Sequence, residues 1–300
     1  MFQVGHYSAK TEIGRGAQGT VYSGTNVRTG QKVAIKALSS SQAARVLTEC
    51  HLIKVVNSAY IVPVLDTIQT EHSLYTVQPL YPISLFSFAA RNPAVPEHTL
   101  QKWSRQLVKA LADLHFYSAA HCDIKASNII LSEDSLEADV AIIDFGAAHF
   151  SPSGEFTGFK GVVEHAAPEM LEEDSYGTKV DIFSLGIVLD ELAAGQRVTQ
   201  RLVKGEALTF RADLSEAAKA FVRRCLTFNP QRRPTVFELT TDPFLIGQRV
   251  DALLSDLTDE SHCLDQDSKT LTFEQLTSFL KETKAHCLLP CDRATVRFVV

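Results

Sequence analysis

The chain has 300 residues, 45% of them apolar, which is enough to bury a large core. Its 29 Lys and Arg against 35 Asp and Glu leave a formal charge of −6, and the basic residues are scattered rather than striped, which argues against nucleic acid as a partner. There is no apolar run of about eighteen residues, and Met1-Phe2-Gln3-Val4-Gly5-His6 lacks a basic stretch followed by an apolar one, so the sequence reads as soluble, intracellular and cytoplasmic, with no membrane partner.

In chain order, residues 7–36 carry β-branched and aromatic residues broken by glycine: Tyr7, the turn from Gly14 to Gly19, Val21-Tyr22, then Val33-Ala34-Ile35. This pattern predicts a glycine-turn hairpin and a third strand. Ser39-Ser40-Ser41 is placed to cap a helix carrying Val46, Leu47 and Ile53 at helical spacing, with Glu49 among them. Two further strands are expected over 62–65 and 73–78. After Pro82 the pattern turns helical. Pro96-Glu97 opens a long amphipathic run through Leu100, Trp103, Leu107, Leu111 and Leu114, and more helices are expected over 178–195, 215–226 and 235–240. The predicted class is α+β, a small antiparallel sheet with one helix followed by a mainly helical part.

Two short motifs carry the chemistry. His121-Cys122-Asp123-Ile124-Lys125-Ala126-Ser127-Asn128 and the later Asp144-Phe145-Gly146 put a carboxylate, an ammonium, an amide and a second carboxylate on two loops. Phosphoryl transfer from Mg-ATP uses these groups: a base for the acceptor hydroxyl, a cation near the moving phosphate, and hard oxygen ligands for Mg²⁺. Around them stand Gly14-Arg15-Gly16-Ala17-Gln18-Gly19-Thr20-Val21, Val33-Ala34-Ile35-Lys36, Ala167-Pro168-Glu169 and Asp181-Ile182-Phe183-Ser184-Leu185-Gly186. In this order the set resembles the catalytic core of eukaryotic protein kinases of the serine/threonine type, from Gly14 to Arg233.

The resemblance implies a bilobal protein kinase fold over 7–246, with an N-lobe over about 7–80, a C-lobe over about 82–246, and a C-terminal extension over 247–300. It implies ATP and Mg²⁺ as cofactors and a protein substrate with a Ser or Thr acceptor. Asp123 would orient and deprotonate the hydroxyl, Lys125 would steady the γ-phosphate, and Asn128 with Asp144 would hold the metal. Lys36 would hold the α- and β-phosphates and pair with a helix glutamate. Glu49 is the candidate, with His51 and Glu71 fitting the pattern less well. The nucleotide would lie among Ile13, Gly14, Gly16, Gly19, Val21, Ala34, Lys36, Gln78, Pro79, Tyr81 and Ile130: backbone N–H groups of the glycine turn on phosphate, Val21 and Ala34 as roof, Ile130 as floor, and the Pro79 carbonyl and Tyr81 N–H on adenine. Structural roles implied are a Glu169–Arg233 ion pair, Asp181 bonded to the catalytic-loop backbone, and a column of Ile53, Val64, His121 and Phe145.

Some residues depart from the family pattern. Cys122 stands where many regulated relatives place an Arg before the catalytic Asp, and Val162 stands where serine/threonine kinases usually have a Thr. Gln78 is a polar choice at the rear of the pocket. Six cysteines, Cys50, Cys122, Cys225, Cys263, Cys287 and Cys291, read as free thiols rather than a disulfide frame, and Cys287 with Cys291 lacks a second pair for zinc. The stretch from Asp265 to Glu274 resembles a calcium loop but lacks the required glycine and final Glu. Phe273, Leu276, Phe279 and Leu280 predict an amphipathic helix that packs on the kinase or docks a regulatory partner through residues 247–300. The rival readings are a nucleotide-binding scaffold without efficient transfer and a small-molecule kinase, the latter disfavoured by the Ala167-Pro168-Glu169 segment that closes a peptide-docking loop in the family.

Overall fold

The computed structural model describes residues 2–16, 19–93, 95–172, 175–194 and 210–247. By internal contacts the chain divides into two units, Met1–Leu245 and Ile246–Val300. The calcium-like stretch near Asp265, the helix expected over 273–280 and the docking role expected of the tail lie outside the described residues.

The first unit opens with six antiparallel strands, β1 (Phe2–Val4), β2 (Tyr7–Gly16), β3 (Gly19–Asn26), β4 (Lys32–Ser39), β5 (Asp66–Gln69) and β6 (Ser73–Pro79), in the spatial order β1-β2-β3-β4-β6-β5. Strand β1 precedes the expected start of the fold: Gly5, at φ 54°, closes a hairpin that sets Val4 opposite Tyr7. A three-residue strand is too short to show a period. The strand expected over 62–65 is instead an extended connection. Pro63 lacks the N–H that a ladder needs, so the bonds flanking it diverge, Val62 N to Ile142 O at 3.0 Å and Leu65 N to Val77 O at 2.8 Å, and pairing resumes at Asp66.

Alternation sorts the sheet's two faces. Val33, Ile35 and Val77 are fully buried with Tyr7 and Ala9 on one side, so Ala34 and Lys36, offset by one residue along β4, face the other. Helix α1 (Ala43–Val56) starts after a 3₁₀ turn that Ser39 caps by accepting from Ser41 N. Its buried stripe is Val46, Cys50, Ile53 and Val56, while Leu47 is 44% exposed, one position off that face.

Helices dominate the rest, with α2 (Leu85–Arg91), α3 (Glu97–Phe116), α4 (Pro168–Glu172) and α5 (Lys179–Ala194) followed by Glu216–Cys225 and Val236–Leu239. Leu100, Trp103, Leu107, Leu111 and Leu114 of α3 are wholly buried, and Trp103 Nε1 donates to Ala138 O at 2.9 Å, so the indole brings no unpaired donor into the core. A strand-rich lobe and a helical lobe thus form the bilobal arrangement expected of the sequence. Among the described residues no helix is long and apolar enough to cross a membrane.

One buried ion pair ties α4 and α5 to the later chain. Arg233 spends all five guanidinium donors: two on Glu169 (2.6 and 3.0 Å) and one each on Lys179 O, Phe228 O and Thr227 O, with Phe183 4.8 Å beneath its plane. Both side chains are 3% exposed or less, so removing either partner strands a charge in a dry setting. Glu169→Ala is expected to lower unfolding free energy by about 3–5 kcal/mol. Urea denaturation reads this directly, and an unchanged midpoint would show that the pair carries no such strain.

Candidate active site

The catalytic loop hangs from one carboxylate. Asp181, fully buried in the first turn of α5, accepts from His121 N and Cys122 N, both at 2.8 Å, and from His115 Nε2 at 2.9 Å. Those bonds hold Cys122 at φ 62°, a left-handed conformation that costs a side-chain-bearing residue energy and turns the next residue outward. That residue is Asp123. Its Oδ2 accepts from Lys125 Nζ (2.7 Å) and Asn128 Nδ2 (2.9 Å), and the same amide also donates to Asp123 O. Oδ1 is buried and has no hydrogen-bond partner among the described residues. A carboxylate clamped through one oxygen keeps acceptor capacity on the other.

The second loop lies directly beside the first, because Ile143 N donates to Asn128 O at 2.9 Å. Asp144 follows in a left-handed conformation (φ 64°, ψ 75°), which sends Phe145 into the core against His121, ring centroids 4.8 Å apart, and the carboxylate the other way. There Lys36 Nζ donates to Asp144 Oδ1 at 2.8 Å. Burial by itself would raise the Asp144 carboxyl. The charge and hydrogen bond of Lys36 outweigh it, and the group is held below the ordinary carboxylate value.

Glu49 departs from expectation. Its carboxylate pairs with Arg45, four residues back on α1, at 3.0 Å, while Lys36 is given to Asp144. The cause is local: the i,i+4 spacing presents a guanidinium on the same helix face. Burial raises the Glu49 carboxyl despite Arg45, with Lys36 also near enough to pull it down, so the two groups expected to pair are neighbours closed onto other partners. Glu71, the weaker alternative, is 87% exposed in the turn before β6.

The expected nucleotide slot lies under the sheet face that carries Ala34 and Lys36. In the glycine hairpin Gly14 faces Val21 and Gly16 faces Gly19, and Val21 in turn faces Lys36. A Cβ at Gly14 or Gly16 would meet nothing within 4 Å, whereas one at Gly19 (φ 146°) would fall 2.2 Å from Ala37 O. The fold therefore demands glycine at 19 and leaves open space at 14 and 16. Ile130 packs with Val62 and Ala141, joined by the half-buried Tyr81 and Ile143; Ile13 is 51% exposed. Gln78, unpaired in the sequence reading, donates through Nε2 to Val62 O at 3.3 Å. Val62, Ala141 and Ile143 escaped the sequence reading, although Ile143 adjoins Asp144 and Val62 stands in an apolar run.

Because the Asp144 carboxyl is depressed in the folded chain, it contributes stability above the ordinary carboxylate range, and that contribution is lost as pH falls through the folded value. Lys36→Met removes the largest lowering influence and leaves burial opposed only by His121 and the Gly146 N–H, so the carboxyl rises. The stability gap between wild type and Lys36→Met is therefore expected to widen from acid to neutral pH in urea titrations. A gap independent of pH would mean that another group keeps Asp144 ionised.

Comparison with known proteins places this geometry in context. The protein kinase domain family matches residues 7–245. A hormonally up-regulated neu tumor-associated kinase homolog A of Xenopus laevis is 29% identical over 266 residues, covering 81% of this chain and 38% of that protein. A probable serine/threonine-protein kinase 2 of Plasmodium falciparum is 33% identical over 192 residues, 63% of this chain and 38% of that protein. Mitogen-activated protein kinase kinase kinase 2 of Arabidopsis thaliana is 29% identical over 273 residues, 82% of this chain and 42% of that protein. The chain thus spans about two fifths of the length of these relatives. A family match that runs from β2 to the end of the helical lobe makes this chain a member of the protein kinase family.

Proposed function

We propose that this chain is a serine/threonine protein kinase that transfers the γ-phosphate of Mg-ATP to Ser or Thr hydroxyls of a protein substrate. The observation that carries the reading is the unbonded Oδ1 of Asp123, held beside a loop that delivers Asp144 and its Lys36 counter-charge. Lys125 is the cation nearest the base, at 2.7 Å from Oδ2, and suits a negative charge developing on the transferred group. The names of the relatives, two of which include kinases of serine/threonine or mitogen-activated type, support the same class.

The residues present fit a hard divalent cation. Asp144 and Asn128 offer carboxylate and amide oxygens, the hard donors such an ion takes. When bound, Mg²⁺ supplies charge neutralisation on the phosphates. Asp144 and Asn128 would hold it; Lys36 would orient the phosphates; Asp123 would take the hydroxyl proton through Oδ1. The open space at Gly14 and Gly16 leaves room for phosphate oxygens at the backbone, and Val21, Ala34 and Ile130 would enclose the base between Pro79 and Tyr81.

A second reading, a nucleotide-binding scaffold with weak transfer, draws on the closure of Glu49 onto Arg45. Turnover decides between them. Asp123→Asn is expected to lower phosphoryl transfer by about 10²–10⁴-fold with ATP affinity nearly intact, while Asp144→Asn weakens Mg-ATP binding. Turnover in Asp123→Asn equal to wild type would sink the base assignment.

Cys122 offers no charge to a phosphate on the segment after Asp144, and at 5% exposure it has no room for one. Catalysis is therefore expected not to need phosphate on Ser151, Ser153 or Thr157. The triple Ser151→Ala, Ser153→Ala, Thr157→Ala variant and phosphatase-treated wild type should both match untreated wild type in specific activity; a loss of about ten-fold or more would overturn the expectation.

A further inference from the structure

The segment between Asp144 and the acceptor loop is held by neutral groups. It leaves Asp144 through His149–Phe150, paired with Ala119–Ala120. It is bound again where Phe156 and Tyr176 exchange backbone bonds, Phe156 N to Tyr176 O at 2.8 Å and Tyr176 N to Phe156 O at 2.9 Å. Three rings close over this bridge: His149 to Phe156 at 5.6 Å, His149 to Tyr176 stacked at 6.0 Å, and Phe156 to Tyr176 at 6.0 Å. Phe156 and Tyr176 are buried, and the Cys122 thiol neighbours the Tyr176 hydroxyl and the backbone of His149. Burial raises the Cys122 thiol and the Tyr176 phenol and lowers the His149 imidazole, so all three stay uncharged at neutral pH.

One bond leads from this cluster to the chemistry. Tyr176 Oη donates to Gly158 O at 2.8 Å, holding the chain three residues before Gly161. Gly161, at φ 95°, lies so close to the catalytic loop that a Cβ there would fall 2.3 Å from Cys122 O and 3.4 Å from Asp123 Oδ1. Whatever fixes Gly158–Gly161 therefore fixes the wall beside the unbonded oxygen of Asp123. The hydroxyls of Ser151 and Ser153 instead close on each other at 2.8 Å in an exposed turn.

We propose that Tyr176 is a positioning residue for the acceptor side of the site: its hydroxyl, through Gly158, sets Gly161 against the Cys122–Asp123 backbone and so fixes where the substrate hydroxyl meets Asp123 Oδ1, without any phosphate in the link. The proposal rests on the phosphotransfer reading and adds the device that orders the acceptor wall. It makes Tyr176 matter to the protein substrate and not to the nucleotide, none of whose proposed contacts lies between 156 and 176.

The test is Tyr176→Phe, which keeps the ring and the backbone bridge and deletes one hydroxyl. Hydrogen exchange of amides 156–161 is expected to quicken by about five-fold, the worth of one neutral hydrogen bond. Transfer from Mg-ATP to a degenerate Ser/Thr peptide library should lose about five-fold or more in kcat/KM for peptide, with the KM for ATP within about two-fold and the melting temperature little changed. Unchanged exchange, or quickened exchange with unchanged peptide kcat/KM, overturns the proposal, as does an equal rise in the KM for ATP. Absence of all transfer by the wild-type chain overturns the proposed function instead, and is told apart because exchange is read without turnover.

Discussion

A single carboxylate with no access to water, that of Asp181, holds the site in place. Burying an ion costs several kcal/mol unless its lone pairs are filled, and here two backbone N–H groups and a histidine ring fill them. The compensation works only if His121 and Cys122 present both amides to one point, which forces the left-handed turn at Cys122 and aims Asp123 away from the core. The helix that supplies Asp181 is itself pinned by Arg233, which bonds Lys179 O at its first residue and Glu169 on α4. Stability of the helical lobe and orientation of the proposed base are thus one problem with one solution.

The other lobe reaches the site through Lys36. An ammonium on a strand whose neighbours Val33 and Ile35 are fully buried needs a nearby anion, and alternation along β4 points it away from that small core toward Asp144. Asp144 pays in backbone strain and receives Lys36 in return, while Phe145 anchors the turn against His121. Glu49 shows how close the competition is. With Arg45 one helical turn away, its carboxylate pairs on α1, although Lys36 is near enough to act on it.

The acceptor side is arranged differently, with Lys160 its nearby charge and neutral groups making the contacts. Val162 brings no hydroxyl and Cys122 no guanidinium to the place where the segment after Asp144 meets the loop. Aromatic packing by His149, Phe156 and Tyr176 and the bond from Tyr176 Oη to Gly158 O hold that segment, and uncharged contacts of this kind are little screened by salt.

The spacing of glycines, the Lys36 strand and the motifs at Asp123 and Asp144 were legible because they are local: each lies within a few residues of chain, and so does the 3.6-residue stripe of α3. The largely buried α5 was legible as a helix over 178–195, though its near-uniform burial erases any stripe. What escaped depends on neighbours distant in sequence. The strand expected over 62–65 is the exception, failing for the local reason that Pro63 cannot donate, so the ladder with β6 begins only at Asp66. The partner of Glu49 hinges on whether the cation on β4 or one on its own helix comes nearer, and the partner of Gln78 is a carbonyl sixteen residues away. The contact of Tyr176 with Gly158, eighteen residues apart, has no sequence signature at all, since a tyrosine reads the same whether its hydroxyl meets water or a carbonyl. Residue type and spacing name the groups that can react, and long-range packing alone sets which of them meet, because a hydrogen bond is made or lost within a few tenths of an ångström.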